Sequence, residues 1–235
     1  MNQKTFCFIF ARGGSKGIPK KNILPIAGLP LLVHSINLAK NIEEIDKIFV
    51  STDCNEIAEI ANKENVDIIK RPSELAQDNS AEWLAWQHAI KYVQASEGKF
   101  DRFLSLPTTA PLRIKEDIER CLFALNEDVD LVLTMSKANR SPWFNMVTAD
   151  SLSMVNLIFK DSGVKRRQDA PDCYDLTTIA YVSRPEYIIN SSSMWDGNVC
   201  GVEIPRERCM DIDNPFDYSV AKFLMENRDS SVFLN

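Results

Sequence analysis

Short apolar runs alternate with amphipathic stretches over the first 136 residues of the chain. Runs rich in β-branched and aromatic residues predict strands, and stretches whose apolar residues recur every three or four positions predict helices. In the last of these helices, Ile118, Leu122 and Leu125 give one buried face. The predicted strands are residues 5–11, 47–51, 67–69, 102–106 and 131–136, and the predicted helices are residues 31–40, 55–64, 81–95 and 114–125.

This alternation predicts an α/β fold, a doubly wound and mostly parallel sheet with helices on both faces. The rhythm breaks over residues 137–175, which hold no clear helix and carry an aromatic Trp143–Phe144 pair and a basic triplet at 165–167. We interpret this segment, hereafter the arm, as an insertion into a single domain of residues 1–235. The rhythm resumes with predicted strands at 178–182 and 200–204 and a helix at 215–227.

Composition narrows the class of protein. The 235 residues include 45% hydrophobic side chains and carry a net charge of −6, which argues against a nucleic-acid partner. No apolar run is long enough to span a membrane, and the run at 5–11 is too short for a secretion signal, so we expect a cytoplasmic protein. The six cysteines are scattered without metal-site spacing and are expected to be reduced.

Positive charge is concentrated near the beginning of this acidic chain. Six basic residues precede the first acidic residue, Glu43, and four of them lie in the loop after the first strand, residues 11–22, Ala-Arg-Gly-Gly-Ser-Lys-Gly-Ile-Pro-Lys-Lys-Asn. Glycine lets backbone N–H groups approach an anion, and basic side chains add charge for phosphates. The loop matches neither the Walker nor the dinucleotide pattern. The alternatives are a solvated basic loop and a triphosphate site, and we favour the second.

A second candidate site is the Asp-Ile-Asp sequence at 211–213. Two carboxylates at i and i+2 of an extended segment point to the same side, where they can share one hard cation. Mg²⁺ prefers one or two carboxylates together with phosphate oxygens, which suits a nucleotide enzyme. The alternative is that one of the two aspartates caps the final helix.

Several sequence blocks resemble the acylneuraminate cytidylyltransferases, also called CMP-sialic acid synthetases. The blocks follow the order of that family along the whole chain and lie at residues 10–22, 50–53 (Val-Ser-Thr-Asp), 71–78 (Arg-Pro-Ser-Glu-Leu-Ala-Gln-Asp), 107–113 (Pro-Thr-Thr-Ala-Pro-Leu-Arg), 166–169 (Arg-Arg-Gln-Asp) and 211–213. The resemblance implies a nucleotidyltransferase-type fold. It also implies a reaction in which the anomeric hydroxyl of a 3-deoxy-2-ulosonic acid attacks the α-phosphate of CTP, giving a CMP-sugar and pyrophosphate.

The resemblance also implies roles for individual residues. Arg12 and Lys21 would hold the phosphates, Arg167 with Gln168 would lie at the sugar and reaction centre, and Tyr181 would face the sugar. Asp211 and Asp213 would hold Mg²⁺, and with Lys21 and Arg167 they form the expected catalytic set. The expected CTP-binding residues are Arg12, Gly13, Ser15, Lys16, Lys21, Asn22, Arg71 and Ser80. No general base is evident.

The chain departs from the resembled pattern where the sugar is expected to bind. Leu106 replaces a glutamine that is common before the Pro-Thr block, and Thr177-Thr178-Ile179-Ala180 replaces an Asn-Gly pair ahead of Tyr181. N-acetylneuraminic, legionaminic and pseudaminic acid therefore all remain candidates. Alternatives to the main hypothesis are a cytidylyltransferase for an eight-carbon 3-deoxy-octulosonic acid, a glycosyltransferase, and a non-catalytic nucleotide sensor of the same fold.

Three further expectations concern packing and assembly. The family's arm packs against a second subunit, so Trp143, Phe144 and Met146 are expected at a homodimer interface, with a lining of the sugar pocket as the alternative. Trp83 and Trp86, three residues apart, are expected to face the core. Asp53 is expected to cap the helix that follows it.

Overall fold

A seven-stranded sheet with the order β11-β7-β10-β6-β1-β4-β5 forms the centre of the molecule in the computed structural model, which describes residues 3–160 and 163–227. The strands are β1 (Thr5–Phe10), β2 (Pro25–Ile26), β3 (Leu29–Pro30), β4 (Lys47–Thr52), β5 (Asp67–Lys70), β6 (Arg102–Ser105), β7 (Leu131–Lys137), β8 (Val147–Ala149), β9 (Val155–Leu157), β10 (Tyr174–Ser183) and β11 (Val199–Glu203). The helices are α1 (Leu31–Lys40), α2 (Asn55–Lys63), α3 (Glu82–Glu97), α4 (Lys115–Ala124), α5 (Pro185–Asn190) and α6 (Pro215–Glu226).

The sheet is mostly parallel, as the sequence predicts. β1 pairs in parallel with β4 and β6, β4 with β5, and β7 with β11, whereas β10 runs antiparallel between β6 and β7. The register of β10 against β7 shifts between Thr177 and Tyr181. Such an irregularity redirects the side chains next to it, and Thr178 lies within this one.

Helices cover both faces of the sheet, which confirms the predicted layers. Cys7 and Ile9 of β1 pack in a cluster with α1, α2 and α4, while Phe6 and Phe8 pack on the other face with α3 and α5. This alternation is the period-two pattern of a strand buried on both faces. The prediction for Trp83 and Trp86 is confirmed, because both are buried in the second cluster.

The predicted elements before residue 137 all occur, with bounds that differ by three residues at most. The strand predicted at 178–182 is longer, because β10 begins at Tyr174. The short helix α5 was not predicted, and its six residues offer little helical periodicity. Among the described residues, no helix has the length and apolar character needed to cross a bilayer.

The arm contains the β8–β9 hairpin and a single turn of 3-10 helix at Arg167–Asp169, and residues 161 and 162 lie outside the described part. The Trp143 ring packs on Phe159 with centroids 4.8 Å apart. Large apolar side chains of the arm and of the strand that follows it are nevertheless exposed, namely Phe144, Met146, Val147, Leu152, Met154, Val155, Ile158, Phe159, Tyr174 and Leu176. The role of the arm in dimerisation stays a prediction.

Candidate active site

A cavity of 310 Å³ opens beyond the carboxyl ends of β1, β5 and β6, where ligands bind in open α/β sheets. Its wall combines the loop after β1, the segment after β5, the first turn of α3, the loop after β6 and the irregular part of β10. The lining residues are Phe10, Arg12, Gly14, Ser15, Lys21, Asn22, Arg71, Leu75, Gln77, Asp78, Ser80, Glu82, Ala85, Pro107, Thr108, Thr109, Thr178 and Tyr181.

Hydrogen bonds fix the glycine-rich loop to the sheet. The Gly13 N–H donates to the Asp53 carboxylate at 2.8 Å, and the Asn22 side-chain amide donates to the Arg12 carbonyl at 2.9 Å. Thr108 in turn donates to the Asn22 side-chain oxygen. The expectation for Asp53 was wrong, because no side chain caps α2 and the carboxylate tethers the loop instead. Asn22 likewise uses its amide to hold the loop against the segment after β6.

The basic residues of the loop are paired with carboxylates. Asp78 contacts Arg12 at 2.8 Å and Lys16 at 3.0 Å, and these partners lower the pKa of the Asp78 carboxyl. The Lys21 ammonium lies 2.8 Å from an Asp213 carboxylate oxygen. The loop therefore holds three cationic groups at the cavity, as a triphosphate site requires.

Close backbone packing joins the loop to the aspartate pair. A side chain at Gly17 would place its Cβ 1.9 Å from the Asp213 carbonyl oxygen, so only glycine allows this approach. The Ile212 N–H donates to the Thr109 carbonyl at 3.0 Å, which ties the pair to the loop after β6 as well. Two features more than 190 residues apart in the chain thus meet at one site.

Neither aspartate of the pair caps the last helix. Asn214 and Asp217 form the capping box of α6 instead. Burial raises the pKa of Asp211, the nearby Asp213 charge raises it further, and hydroxyls of Thr109 and Thr178 oppose the shift. The buried Asp211 Oδ1 has no hydrogen-bond partner among the described residues. An unsatisfied buried carboxylate oxygen beside a second carboxylate needs a cation or a donor.

This donor set fits Mg²⁺. No group of three or more His, Cys, Asp or Glu side chains that could hold a metal occurs within residues 3–160 and 163–227. Mg²⁺ does not need such a group, because it binds one or two carboxylates and completes its shell with water and phosphate oxygens. Asp211 offers the unpartnered oxygen, and Asp213 has an exposed carboxylate at the loop.

Arg71 and Ser80 lie in the cavity wall beyond β5. The Arg71 guanidinium donates to the Ser51 carbonyl at 2.7 Å and lies over the Phe10 ring at 5.4 Å. Burial lowers the pKa of Arg71 to about 10, so the group stays charged at neutral pH. The Ser80 hydroxyl donates to the Glu74 carbonyl at 2.5 Å, which shapes the segment around it.

Arg113, the last residue of the block at 107–113, lies behind the cavity wall and is buried. Its guanidinium donates to the Pro107 carbonyl at 2.6 Å, to the Ile179 carbonyl at 3.2 Å and to the Ser35 hydroxyl. These bonds join α1, β10 and the loop that carries Thr108 and Thr109. Arg113, in the block that carries the resemblance, therefore helps to position the cavity wall.

Arg167 and Gln168 do not line the 310 Å³ cavity of their own chain. Both are exposed, and Arg167 donates to the Asn139 carbonyl at 3.3 Å. Arg167 instead borders a separate cavity of 650 Å³ at the base of the arm, lined by Asn139, Arg140, Asn145, Met146, Arg167, Asp175 and Arg206. Tyr181, the third residue expected at the sugar, does line the first cavity.

Leu106 and Thr177, where the chain departs from the resembled pattern, do not reach the cavity surface. Leu106 is fully buried in the core, and the Thr177 hydroxyl donates to Thr134 at 2.8 Å. Their neighbours Thr109 and Thr178 line the cavity instead. Leu106 and Thr177 can therefore affect the cavity only through the backbone that they position, whereas Thr178, which belongs to the same departure from the pattern, lines the cavity directly.

Sequence reasoning missed several lining residues. Asp78 ends the block at 71–78, and its place beside two cations could have been inferred only from the fold. Glu82 carries no motif signal, because the start of a helix brings it to the cavity. Thr178 belongs to the departure ahead of Tyr181, but its place in the wall depends on the irregularity of the strand. Among the predicted residues, Ser15 and Lys21 line the cavity. Gly13 and Lys16 do not line it, but their surroundings include the carboxylates of Asp53 and Asp78. Asp211 and Asp213 lie next to the lining residues Thr178 and Lys21.

Known proteins share this architecture. The family model described as Cytidylyltransferase matches residues 6–174. The chain is 31% identical over 228 residues, 96% of both chains, to the CMP-N,N'-diacetyllegionaminic acid synthase of Campylobacter jejuni, and 31% identical over 227 residues, 95% of both, to the post-translational flagellin modification protein B of Campylobacter coli. A solved structure of CMP:2-keto-3-deoxy-manno-octonic acid synthetase complexed with CTP superposes with a TM-score of 0.73 at 16% identity, covering 96% of this chain and 99% of that one.

The structural likeness at 16% identity shows a shared fold, and the sequence matches carry the assignment further. Both curated relatives align over almost the whole chain, from the loop after β1 through the aspartate pair. The matched family region includes β1, the loop, the segment after β5 and the arm. The chain therefore belongs to the cytidylyltransferase family of nucleotidyltransferase enzymes.

Proposed function

We propose that this chain transfers CMP from CTP to the anomeric hydroxyl of a nonulosonic acid, releasing pyrophosphate and forming the CMP-activated sugar. The observation that carries the proposal is the meeting of the cationic loop and the aspartate pair, with Lys21 2.8 Å from Asp213 at one cavity. The synthase from Campylobacter jejuni, a relative over nearly the full chain, bears the name of this reaction.

The chain's own residues supply positioning and charge, which is what phosphoryl-type transfer requires. Arg12, Lys16 and Lys21 bind the triphosphate, and the backbone N–H groups of Gly14 and Ser15 lie at the same wall. Binding the phosphates replaces the Asp78 and Asp213 carboxylates as partners of these cations. The leaving pyrophosphate develops negative charge that the same cations stabilise.

Asp211 and Asp213 hold Mg²⁺ in this proposal. A bound Mg²⁺ would supply positive charge that stabilises the phosphate oxygens during the displacement. The contact between Lys21 and Asp213 means that the phosphate-binding loop and the proposed metal ligands lie side by side. The capping box of α6 and the bond from Ile212 to Thr109 fix the segment that carries both carboxylates.

The sugar binds beside Thr109, Thr178 and Tyr181, on the β10 side of the cavity. The buried hydroxyl of Thr178 lies beside the Asp211 carboxyl, whose pKa it acts to lower, and it lines the cavity, where it can pair with a sugar hydroxyl. Arg167 and Gln168 complete recognition of the acidic sugar from the arm. Legionaminic acid is the first candidate, because the C. jejuni synthase named for its diacetyl form is 31% identical over 96% of the chain.

The protein is a homodimer assembled through the arm. Exposed Leu152, Met154 and Val155 on and beside the β8–β9 hairpin form an apolar surface that a second copy covers. Because Arg167 does not line the cavity of its own chain, the assembled arm presents it to the partner's cavity. Trp143 contributes by packing on Phe159 inside the arm.

Pyrophosphate release with CTP and Mg²⁺ across a panel of nonulosonic acids tests the proposal, with the eight-carbon 3-deoxy-octulosonic acid included. We expect release with a nine-carbon acid and none with UTP. Release only with the eight-carbon acid would move the assignment to that sugar, and CTP binding without release on any sugar would make the protein a nucleotide sensor.

A further inference from the structure

The mechanism above gives no role to Glu82, although its side chain lines the cavity. Two carboxylates belong to this wall. Asp78 is paired with Arg12 and Lys16, whereas no basic side chain of the described residues lies within ion-pair distance of Glu82. An unpaired carboxylate in a site for a polyanion is unfavourable unless the ligand brings a hydrogen-bond donor to it.

The Glu82 carboxyl is held in place before any ligand binds. Glu82 is the first residue of α3, and its Oε1 accepts a hydrogen bond from the Trp86 indole at 3.2 Å. Trp86 is buried and packs against Phe103 and Tyr181, with ring centroids 5.3 and 5.2 Å away. No described protein group donates to the second oxygen, Oε2, so it is available to a ligand.

The charges around the Glu82 carboxyl indicate which ligand groups it can bind. Desolvation by surrounding protein raises the pKa of Glu82, and the nearby Arg71 charge opposes the shift. Arg71 lines the same cavity, fixed by Ser51 and by the Phe10 ring. The wall thus presents a rigid donor and a rigid acceptor to one ligand. Glu82 is exposed to solvent before a ligand binds, so a ligand that covers this wall has to satisfy both groups, and the pair can discriminate between similar ligands.

We propose that Glu82 accepts a hydrogen bond from the 4-amino group of cytosine and thereby selects CTP over UTP. Cytosine presents an amino donor at position 4 next to the N3 and O2 acceptors, which match a carboxylate beside a guanidinium. Uracil presents an oxygen at position 4, whose lone pairs face the carboxylate. This inference rests on the proposed use of CTP, and it adds a specificity-determining residue on α3 to the site.

Titration of CTP and UTP into the full-length protein tests the inference without any sugar. For wild-type protein we expect CTP to bind about 100-fold more tightly than UTP. In Glu82→Gln the amide can rotate and donate to uracil, so the CTP-to-UTP affinity ratio falls about tenfold or more. Glu116→Gln is the matched control, because Glu116 is an exposed residue in the first turn of α4.

A nucleotide analogue tests the same contact in the unaltered protein. The triphosphate of 2-pyrimidinone riboside keeps O2 and N3 of cytosine and lacks the 4-amino group. We expect wild-type protein to bind it about tenfold more weakly than CTP, and Glu82→Gln to lose little of the remaining affinity. Equal binding of CTP and the analogue by wild-type protein would overturn the inference.

Two further results separate this inference from the proposed function. If folded Glu82→Gln keeps the wild-type CTP-to-UTP affinity ratio, the role of Glu82 is overturned, although CTP-dependent turnover still supports the proposed function. A change in Glu82→Gln that is confined to the KM for the sugar overturns the role of Glu82 in the same way. Absence of CTP binding by the wild-type protein overturns the proposed function itself. A lowered ratio in Glu82→Gln together with an unchanged ratio in Glu116→Gln supports the inference.

Discussion

In the cavity, hydrogen bonds and ion pairs from distant parts of the chain hold the glycine-rich loop and the aspartate pair, whereas in the arm the corresponding bonds join one part of the arm to another. Lys21 contacts Asp213, and Asn22 is bonded to Thr108 across 86 residues. Arg167 donates to Asn139 within the arm, and β8 pairs only with β9. A site fixed on several elements is preorganised by folding alone.

The difference indicates how the two regions achieve their final geometry. The described wall of the cavity, including the loop after β1, comes from one chain. The arm exposes Leu152 and Val155 to solvent and presents arginines to a separate cavity. We infer that the cavity of one chain binds the nucleotide, and that the arm contributes to sugar recognition only when two chains assemble. Variants in each region should therefore fail in different ways.

Asp213→Asn should produce the largest effect on the cavity side. Removing one carboxylate of the metal pair while keeping its size should lower Mg²⁺-dependent pyrophosphate release by on the order of 10²–10³. The fold and most of the CTP affinity should remain, because Asp217 and Asn214 still cap α6. Release assayed against Mg²⁺ concentration measures the effect. Asp128→Asn, at an exposed position remote from the cavity wall, is the control, and unchanged activity in Asp213→Asn would remove this residue from the metal site.

Arg12→Ala should have the next largest effect, confined to the nucleotide. It deletes a charge-assisted donor to the triphosphate and should weaken CTP binding by roughly 10- to 100-fold. Calorimetric titration of CTP gives the affinity directly. Lys16 keeps Asp78 partly paired in this variant, so the wall should stay in place. Full CTP affinity would show that the loop does not bind the triphosphate.

Arg167→Ala tests the arm by a split between the two substrates. We expect the KM for the sugar to rise about tenfold, from loss of one charged hydrogen bond, with unchanged CTP affinity. Co-expressing Arg167→Ala with Asp213→Asn sharpens the test. If Arg167 acts on the partner's cavity, mixed dimers contain one intact site, and activity at a sugar concentration well below the wild-type KM should recover to about a quarter of wild type. No recovery beyond the separate variants would place Arg167 at the cavity of its own chain or outside the reaction.

The sequence predicted the cavity better than the arm, for a physical reason. The loop at 11–22 and the aspartates at 211 and 213 are local patterns whose chemistry needs no knowledge of their neighbours. The fold then brings them together, because the carboxyl ends of parallel strands share one edge of a sheet. Glu82 carries no such local pattern, since the start of a helix brings it to the cavity. Thr178 stands in a block that departs from the resembled pattern, but a strand irregularity decides that this residue lines the wall.

The arm is harder to predict because, in the proposed assembly, its interactions form with a second chain. The resemblance implies that Arg167 and Gln168 lie at the sugar and reaction centre, yet Arg167 borders a different cavity of the isolated chain. Leu106 shows a related limit within the core. A departure from a family pattern at this position suggests a change in sugar specificity. The Leu106 side chain is fully buried, however, so it can affect a ligand only by positioning the backbone. Sequence patterns report residue type, whereas exposure depends on packing.

Val155→Glu should have the smallest effect on the isolated chain and still separate the two regions. Val155 is 61% exposed on the hairpin, so an acidic residue there costs little within one protomer. Buried against a second copy, the same carboxylate would be desolvated without a partner, and the dimer should dissociate. Light scattering after size exclusion measures the mass, and thermal unfolding monitors the fold. Phe123→Glu is the control, because Phe123 is 90% exposed on α4 and lies outside the arm.

Dissociation of Val155→Glu should also reproduce the kinetic signature of Arg167→Ala. The monomer should bind CTP like wild type, because every residue of the loop and the aspartate pair stays in its own chain. Its KM for the sugar should rise as in Arg167→Ala, because no partner presents the arginine. A monomer with wild-type KM for both substrates would break the comparison, since the arm would then contribute neither recognition nor a shared site.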